Sequence, residues 1–137
     1  MDIHYGESGE PVMEGLNISF SHTLDYAAAA VSKFFRVGID MERVTSRILS
    51  LYPKFIGQEE IRNVNVYDPE EVTYYWCAKE AVYKIFPGIG LDFRDHIFVD
   101  RKAAKATVNV RGNKYSIRLR DYNLDSMTVV LAWPEKS

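Results

Sequence analysis

Cysteine is nearly absent from the chain, because Cys77 is the only one among 137 residues. A single cysteine excludes an internal disulfide framework and a cysteine-based zinc cluster. Its place inside a helical pattern predicts a packed thiol and not a nucleophile. The sequence also has no apolar run near the roughly 20 residues of a membrane span, and no signal-peptide pattern. We therefore expect a cytoplasmic protein with no membrane partner.

Charge of one sign is not in excess either. The 17 basic and 19 acidic residues leave a formal net charge of −2, which argues against a nucleic-acid partner. A local basic patch for a phosphorylated ligand is still compatible with this balance. No repeat, low-complexity tract or linker divides the sequence, and its length predicts a single domain over residues 1–137.

The clearest local signal is the start of a long helix. Asp68 suits the capping position, Pro69 suits the first helical position, and two glutamates follow in the first turn. The pattern continues to Phe86, where residues 87–90 (PGIG) predict its end.

Glu80 and Lys84 are four residues apart and therefore lie on one face of this helix. Taken alone, they are more simply explained as a solvated ion pair. The alternative comes from residues 37–42 (VGIDME), whose alternation predicts a strand. Asp40 and Glu42 would share one face of it, with Cα atoms roughly 6.5 Å apart. An acidic strand edge is the simple explanation, but a cation between these carboxylates and Glu80 would offset their repulsion.

Upstream, residues 16–20 alternate as a short strand, after a loop-like start over residues 1–15. Ser21 and His22 follow the strand and can contact phosphate oxygens, or can form a solvated turn. Residues 26–32 are ambiguous, since four consecutive alanines favour a helix by propensity while their neighbours favour a hairpin strand.

Further elements are predicted from shorter patterns. We expect short helices over residues 47–52 and 58–64, strands over residues 97–99, 106–110, 114–119 and 127–133, and a hairpin turn over residues 111–113.

The candidate site residues indicate a particular chemistry. Asp40, Glu42 and Glu80 are oxygen ligands, which suit Mg²⁺ or Mn²⁺ better than zinc. Lys79 and Lys84 add positive charge beside them. Charge neutralisation and positioning are what transfer at phosphorus mainly requires, so the residues predict Mg²⁺-assisted chemistry on a pyrophosphate-bearing substrate.

Three segments together resemble the 4′-phosphopantetheinyl transferases: residues 17–23 (NISFSHT), 37–42 (VGIDME) and 76–84 (WCAKEAVYK). Their order and spacing are similar to the carboxy-terminal half of the surfactin-synthetase-activating type. The resemblance implies an α+β fold, with an antiparallel sheet packed against a long helix, and makes residues 26–32 a strand. It also implies transfer of the 4′-phosphopantetheine arm of coenzyme A to a serine of an acyl or peptidyl carrier protein.

The resemblance assigns roles by position. Asp40, Glu42 and Glu80 correspond to metal ligands, and Lys84 to a lysine that contacts phosphate. Ser21, His22 and Lys79 are expected to bind coenzyme A. Glu60 corresponds to an acid that can deprotonate the attacking serine.

Two departures from the family pattern matter. Where the family has Gly-Lys-Pro, this chain has Gly9, Glu10 and Pro11, so an acid replaces a basic contact to coenzyme A. The chain also resembles one half of a two-half enzyme, which predicts a homo-oligomer whose copies complete each other's sites. The alternatives are a truncated member that binds coenzyme A or carrier protein without turnover, and an unrelated Mg²⁺-dependent phosphate-handling domain.

Overall fold

The computed structural model describes residues 3–136. Their strands are, in chain order, β1 (Ile3–Tyr5), β2 (Pro11–Met13), β3 (Asn17–His22), β4 (Ala27–Ser32), β5 (Gly38–Arg43), β6 (Ile97–Asp100), β7 (Lys105–Val110), β8 (Asn113–Leu124) and β9 (Met127–Pro134). One α-helix, α1 (Pro69–Tyr83), lies between β5 and β6. Short 3₁₀ turns occupy Ser46–Ser50, Tyr52–Lys54 and Ile61–Asn63.

The main layer is a five-stranded sheet in the order β5-β9-β8-β7-β6, in which every neighbouring pair is antiparallel. Helix α1 packs on one face of it and buries nearly every residue between Val72 and Val82. The large core therefore lies between α1 and the alternating inward residues of the strands, such as Val108, Ile117 and Val130. This arrangement confirms the predicted α+β fold.

A separate hairpin of β3 and β4 covers the edge of the sheet at β5. Ala28 and Ala30 of β4 pack against a second apolar cluster that includes Ile39 and Met41. The alanine run is therefore a strand, because pairing with β3 and contact with this cluster outweigh its weak helical propensity. Small side chains also let the hairpin lie close to the sheet.

Several predicted boundaries were wrong. The long helix ends at Tyr83 and not at Phe86, and the two short helices expected over residues 47–52 and 58–64 are 3₁₀ turns. Residues 3–13 contain the small β1–β2 hairpin where a loop was expected. Among residues 3–136, no helix is long and apolar enough to cross a lipid bilayer; the cytoplasmic location stays a prediction.

Candidate functional site

The site begins where α1 approaches β5 at Gly38. A Cβ atom on Gly38 would lie 1.8 Å from the carbonyl oxygen of Ala81, so only glycine allows the helix backbone to come this near. This contact places the last turn of α1, which carries Glu80 and precedes Lys84, beside the β5 face that carries Asp40.

Asp40, Glu42 and Glu80 interact electrostatically at this junction. The pKa of Asp40 is raised from 3.8 to about 7, chiefly by burial; Lys84 opposes the increase, and the negative charges of Glu80 and Glu42 add to it. Burial also raises the pKa of Glu80, against the opposing effect of Lys84 and with the help of Glu42. The three carboxylates that the sequence singled out are therefore near enough for their charges to affect one another's pKa values.

Lys84 connects helix, strand and hairpin at this point. Its Nζ donates to the carbonyl oxygen of Ile39 at 2.6 Å and to that of Phe20 at 2.9 Å, and lies 3.4 Å from Oδ1 of Asp40. Two carbonyl acceptors on different strands hold the ammonium group beside the carboxylates. Lys84 is thus a fixed positive charge next to Asp40, and it also lowers the pKa of Glu80.

The other oxygen of Asp40 has no such partner. Oδ2 is buried and accepts no hydrogen bond from the described residues, which is costly for an ionised carboxylate. A cation would satisfy it, and oxygen donors are what Mg²⁺ prefers. Within residues 3–136, however, no three acidic, cysteine or histidine side chains are already gathered as a metal-binding group. The donor chemistry fits a divalent cation, whereas a finished coordination shell is not present.

Lys84 also lines a cavity of about 470 Å³. Its walls come from the β1–β2 hairpin, from β3 and from the segment after α1. His22 and Lys84 both line it, as does Arg36, which the sequence analysis missed because an exposed arginine before a strand carries no local signal. The predicted pair of His22 and Lys84 is therefore brought to one cavity.

Ser21 has a different environment from the one expected. Its side chain is buried, and its Oγ accepts the Met41 backbone N–H at 3.0 Å, just as Ser19 Oγ accepts that of Ile39 at 3.1 Å. β5 pairs with β9 along one edge only, and the two serines accept hydrogen bonds from N–H groups on its other edge. The Ser21 hydroxyl thus holds the hairpin on the sheet and does not line the cavity wall with His22.

Lys79 and Glu60 lie in a second, fully buried network away from the three carboxylates. Lys79 Nζ donates to Glu60 Oε1 at 2.6 Å and to the carbonyl oxygens of Phe55 at 2.6 Å and Phe93 at 2.8 Å. Burial lowers the pKa of Lys79, and the neighbouring Glu60 opposes that change.

Both oxygens of Glu60 are already in use. Oε1 also accepts from the Gly57 N–H and Oε2 from the Val99 N–H, at 3.0 and 2.7 Å. The structure therefore does not bring Lys79 or Glu60 to the carboxylates or the cavity. The helix turns the side chain of Lys79 toward the core, whereas Glu80, the next residue, turns toward β5.

Comparison with known families agrees with this architecture. A family model described as the 4′-phosphopantetheinyl transferase superfamily matches residues 36–132, more than two thirds of the chain. The match runs from Arg36 through β5 and α1 to β9 and so includes Asp40, Glu42, Glu80 and Lys84. A search of curated protein sequences finds no significant match. The chain belongs to the 4′-phosphopantetheinyl transferase superfamily.

Proposed function

We propose that this transferase-family protein moves the 4′-phosphopantetheine group from coenzyme A to a serine of an acyl or peptidyl carrier protein. The observation that carries the proposal is the position of Lys84. This lysine lines the 470 Å³ cavity and at the same time ion-pairs with Asp40. A pyrophosphate in the cavity would therefore lie against a fixed ammonium group that is itself ion-paired with Asp40, and positioned charge of this kind is what phosphoryl-group transfer needs.

The carboxylates are proposed to hold Mg²⁺ or Mn²⁺. Asp40, Glu42 and Glu80 supply only oxygen donors, and the unpartnered Oδ2 of Asp40 gives a reason for a cation at this place. When bound, the ion supplies charge neutralisation at the pyrophosphate. The mutual repulsion that helps raise the pKa values of Asp40 and Glu80 would be relieved at the same time.

The chain's own residues orient the substrate. Lys84 is held by two carbonyl oxygens, which fix its ammonium group at the boundary of the cavity. His22 and Arg36, which also line the cavity, are proposed to contact phosphate oxygens there. Ser21 is proposed to act as a positioning residue, because its hydroxyl fixes β3 against β5 and thereby fixes the His22 backbone.

Lys79 and Glu60 are proposed to have a structural role in place of the coenzyme A and proton-transfer roles expected from the sequence. Their charged groups have almost no exposed surface, with 0 % and 3 % of the two side chains accessible. A carrier serine cannot reach Glu60 without opening the core. The pair instead fixes the loop after β5 and the loop before β6 to α1.

The wall that faces this site is proposed to come from a second copy of the chain. The cavity is partly open to solvent, and two large apolar side chains that line it, Tyr5 and Val12, are exposed. Sedimentation of the purified protein tests this part separately. We expect an oligomer that forms with increasing concentration; a protein that stays monomeric at high concentration and still modifies a carrier would contradict it.

A second candidate function is binding of coenzyme A or carrier protein without turnover. Glu10 in the cavity wall favours a protein without turnover, because a negative charge there opposes a highly phosphorylated donor. Asp40 and Lys84 favour the enzyme instead, since simple binding has no need of a buried, unpartnered carboxylate oxygen with two further acids near enough to raise its pKa.

One assay separates the two functions. The protein is incubated with an apo-carrier protein, coenzyme A and Mg²⁺, and the intact mass of the carrier is followed. We expect the carrier to gain one phosphopantetheinyl group. No gain with any of several fatty-acid and peptide-synthetase carriers, from a protein that is folded, would favour binding alone.

The Glu80→Gln variant tests the proposed ligand in the same assay. It keeps the shape of the side chain and removes its charge, so we expect at least about a hundredfold loss of transfer, in the range of lost charge stabilisation at an active site. The exposed Glu14→Gln is the matched control and should transfer at the wild-type rate. Full activity of Glu80→Gln would rule out the role given to Glu80.

A further inference from the structure

The cavity has a carboxylate in its wall. Glu10 lines the same cavity as His22, Arg36 and Lys84. A cavity that is to hold a multiply phosphorylated nucleotide is expected to be uniformly basic, and this one is not. Glu10 therefore bears on which chemical group of the ligand can lie beside it.

The carboxylate of Glu10 is held in place by its own turn. Oε2 accepts the Ser8 N–H at 3.0 Å, and the Glu10 carbonyl oxygen accepts the Gly6 N–H at 2.8 Å. A Cβ on Gly6 would lie 1.8 Å from Oε1, so the carboxylate rests directly on the glycine backbone. The side chain is thus fixed by hydrogen bonding and close packing, and it is not free to swing away from a ligand.

The turn itself contacts the segment that follows α1. A Cβ on Gly88 would lie 3.0 Å from Oγ of Ser8, so the Ser8 side chain lies close to the Gly88 backbone. The Glu10 carboxylate is consequently fixed relative to the end of the helix that precedes Lys84. The cavity therefore has a positive group, Lys84, where it meets the carboxylates and a negative group, Glu10, in the wall built by the turn.

A fixed carboxylate distinguishes a free ribose hydroxyl group from a ribose phosphate. An acid accepts hydrogen bonds from ribose hydroxyls and repels a ribose phosphate, and dinucleotide-binding proteins distinguish phosphorylated from unphosphorylated ribose in this way. Coenzyme A carries a phosphate on its ribose, and dephospho-coenzyme A carries a hydroxyl group there. We propose that Glu10 is a specificity-determining residue that favours a donor with an unphosphorylated ribose, such as dephospho-coenzyme A.

This inference rests on the proposed function, because it takes the cavity to be the donor site. With either donor, transfer forms a bond between the carrier serine oxygen and the phosphorus that bears pantetheine, breaks the P–O–P link of the pyrophosphate and releases the serine proton to solvent. The ribose phosphate therefore changes recognition and not the reaction. The leaving group is adenosine 3′,5′-bisphosphate from coenzyme A and adenosine 5′-monophosphate from dephospho-coenzyme A.

The test compares kcat/KM for the two donors in the wild type and in Glu10→Gln and Glu10→Lys. We expect the wild type to use dephospho-coenzyme A at least as well as coenzyme A. Glu10→Gln should shift the ratio toward coenzyme A by about five- to tenfold, the size of one like-charge contact near solvent, and Glu10→Lys should shift it further. Glutamine keeps an oxygen for the Ser8 N–H, and thermal unfolding checks that both variants are folded.

Glu14→Gln, an exposed change outside the cavity wall, is the control and should leave the ratio unchanged. A ratio within twofold of the wild type in both Glu10 variants overturns the inference, as does a wild-type preference for coenzyme A above about tenfold. Calorimetric dissociation constants for the same donors separate the two proposals. If neither donor supports transfer but the Glu10 variants still change the ratio of the two dissociation constants, the proposed function fails and the specificity stands. If the ratio of dissociation constants is the same in the wild type and the Glu10 variants, the specificity is overturned.

Discussion

Replacing Asp40 by asparagine should stabilise the metal-free protein at alkaline pH, although it removes a proposed ligand. The side chain of Asp40 is 9 % exposed, one of its oxygens has no partner among the described residues, and Glu80 and Glu42 repel it. Ionising this group in the fold is therefore unfavourable. Asparagine has the same shape and carries no charge, so it removes the cost.

The magnitude follows from the pKa of Asp40, which is raised from 3.8 to about 7. At roughly 1.4 kcal/mol per pH unit, this difference corresponds to about 4 kcal/mol, which we take as the upper limit of the gain. Below pH 3.8 both folded and unfolded chains hold the proton, and Asp40 costs nothing. Between pH 3.8 and about 7 the folded state holds a proton that the unfolded state releases, so stability falls as the pH rises.

The assay is urea unfolding with a chelator present, at pH 5 and at pH 8. We expect Asp40→Asn to unfold at a higher urea concentration than the wild type at pH 8, and the difference to shrink at pH 5. Added Mg²⁺ should stabilise the wild type and leave the variant unaffected, because a ligand that binds only the folded state shifts the equilibrium. A variant less stable than the wild type at pH 8 would refute the reasoning about burial and repulsion.

Two further changes test the packing around the site. Lys79→Met should lower the free energy of unfolding by about 3–5 kcal/mol, because it leaves Glu60 buried without its cation. The control, Lys102→Met at an exposed position, should change the free energy of unfolding by less than about 0.5 kcal/mol. Equal urea midpoints for Lys79→Met and the wild type would refute the structural role of Lys79. Gly38→Ala should lower the free energy of unfolding by about 1–3 kcal/mol or more, because the new Cβ atom would clash with the Ala81 carbonyl oxygen and push α1 away from β5. The same displacement should reduce carrier modification. Unfolding and transfer that both match the wild type would contradict the close approach.

Local rules predicted the features that depend on neighbouring residues. Asp68 caps α1 by accepting the Glu70 N–H at 3.0 Å, with Pro69 in the first turn as expected. The period of two correctly placed Asp40 and Glu42 on one face of β5, opposite Val130 and Thr128 of β9. These parts of the site are encoded within a few residues.

Features that depend on packing were not visible in the sequence. Helix α1 is buried on nearly all sides, so no polar face shows which way Lys79 turns. Its charge suggested a ligand contact, and only the tertiary structure reveals its partner Glu60, 19 residues away. The hydrogen bond of the Ser21 hydroxyl was not visible for a related reason, since it reaches a strand edge that no local pattern predicts; its contact with coenzyme A stays a prediction.

Short elements were also beyond the sequence patterns. The strands of the β1–β2 hairpin are three residues long, too short for a period to be recognised, and glycines and a proline surround them. Yet this hairpin and its turn form the cavity wall that contains Glu10. The segment that we propose to set donor specificity is thus one whose secondary structure was not predicted from the sequence.

The most direct test of the account is whether Asp40, Glu42 and Glu80 form one cation site. Mn²⁺ binding, followed by electron paramagnetic resonance in the presence of coenzyme A, measures this without any turnover. We expect one Mn²⁺ per chain in the wild type and in Glu14→Gln, and at least about tenfold weaker binding in Glu80→Gln. Equal Mn²⁺ affinity in Glu80→Gln and the wild type would contradict the central claim.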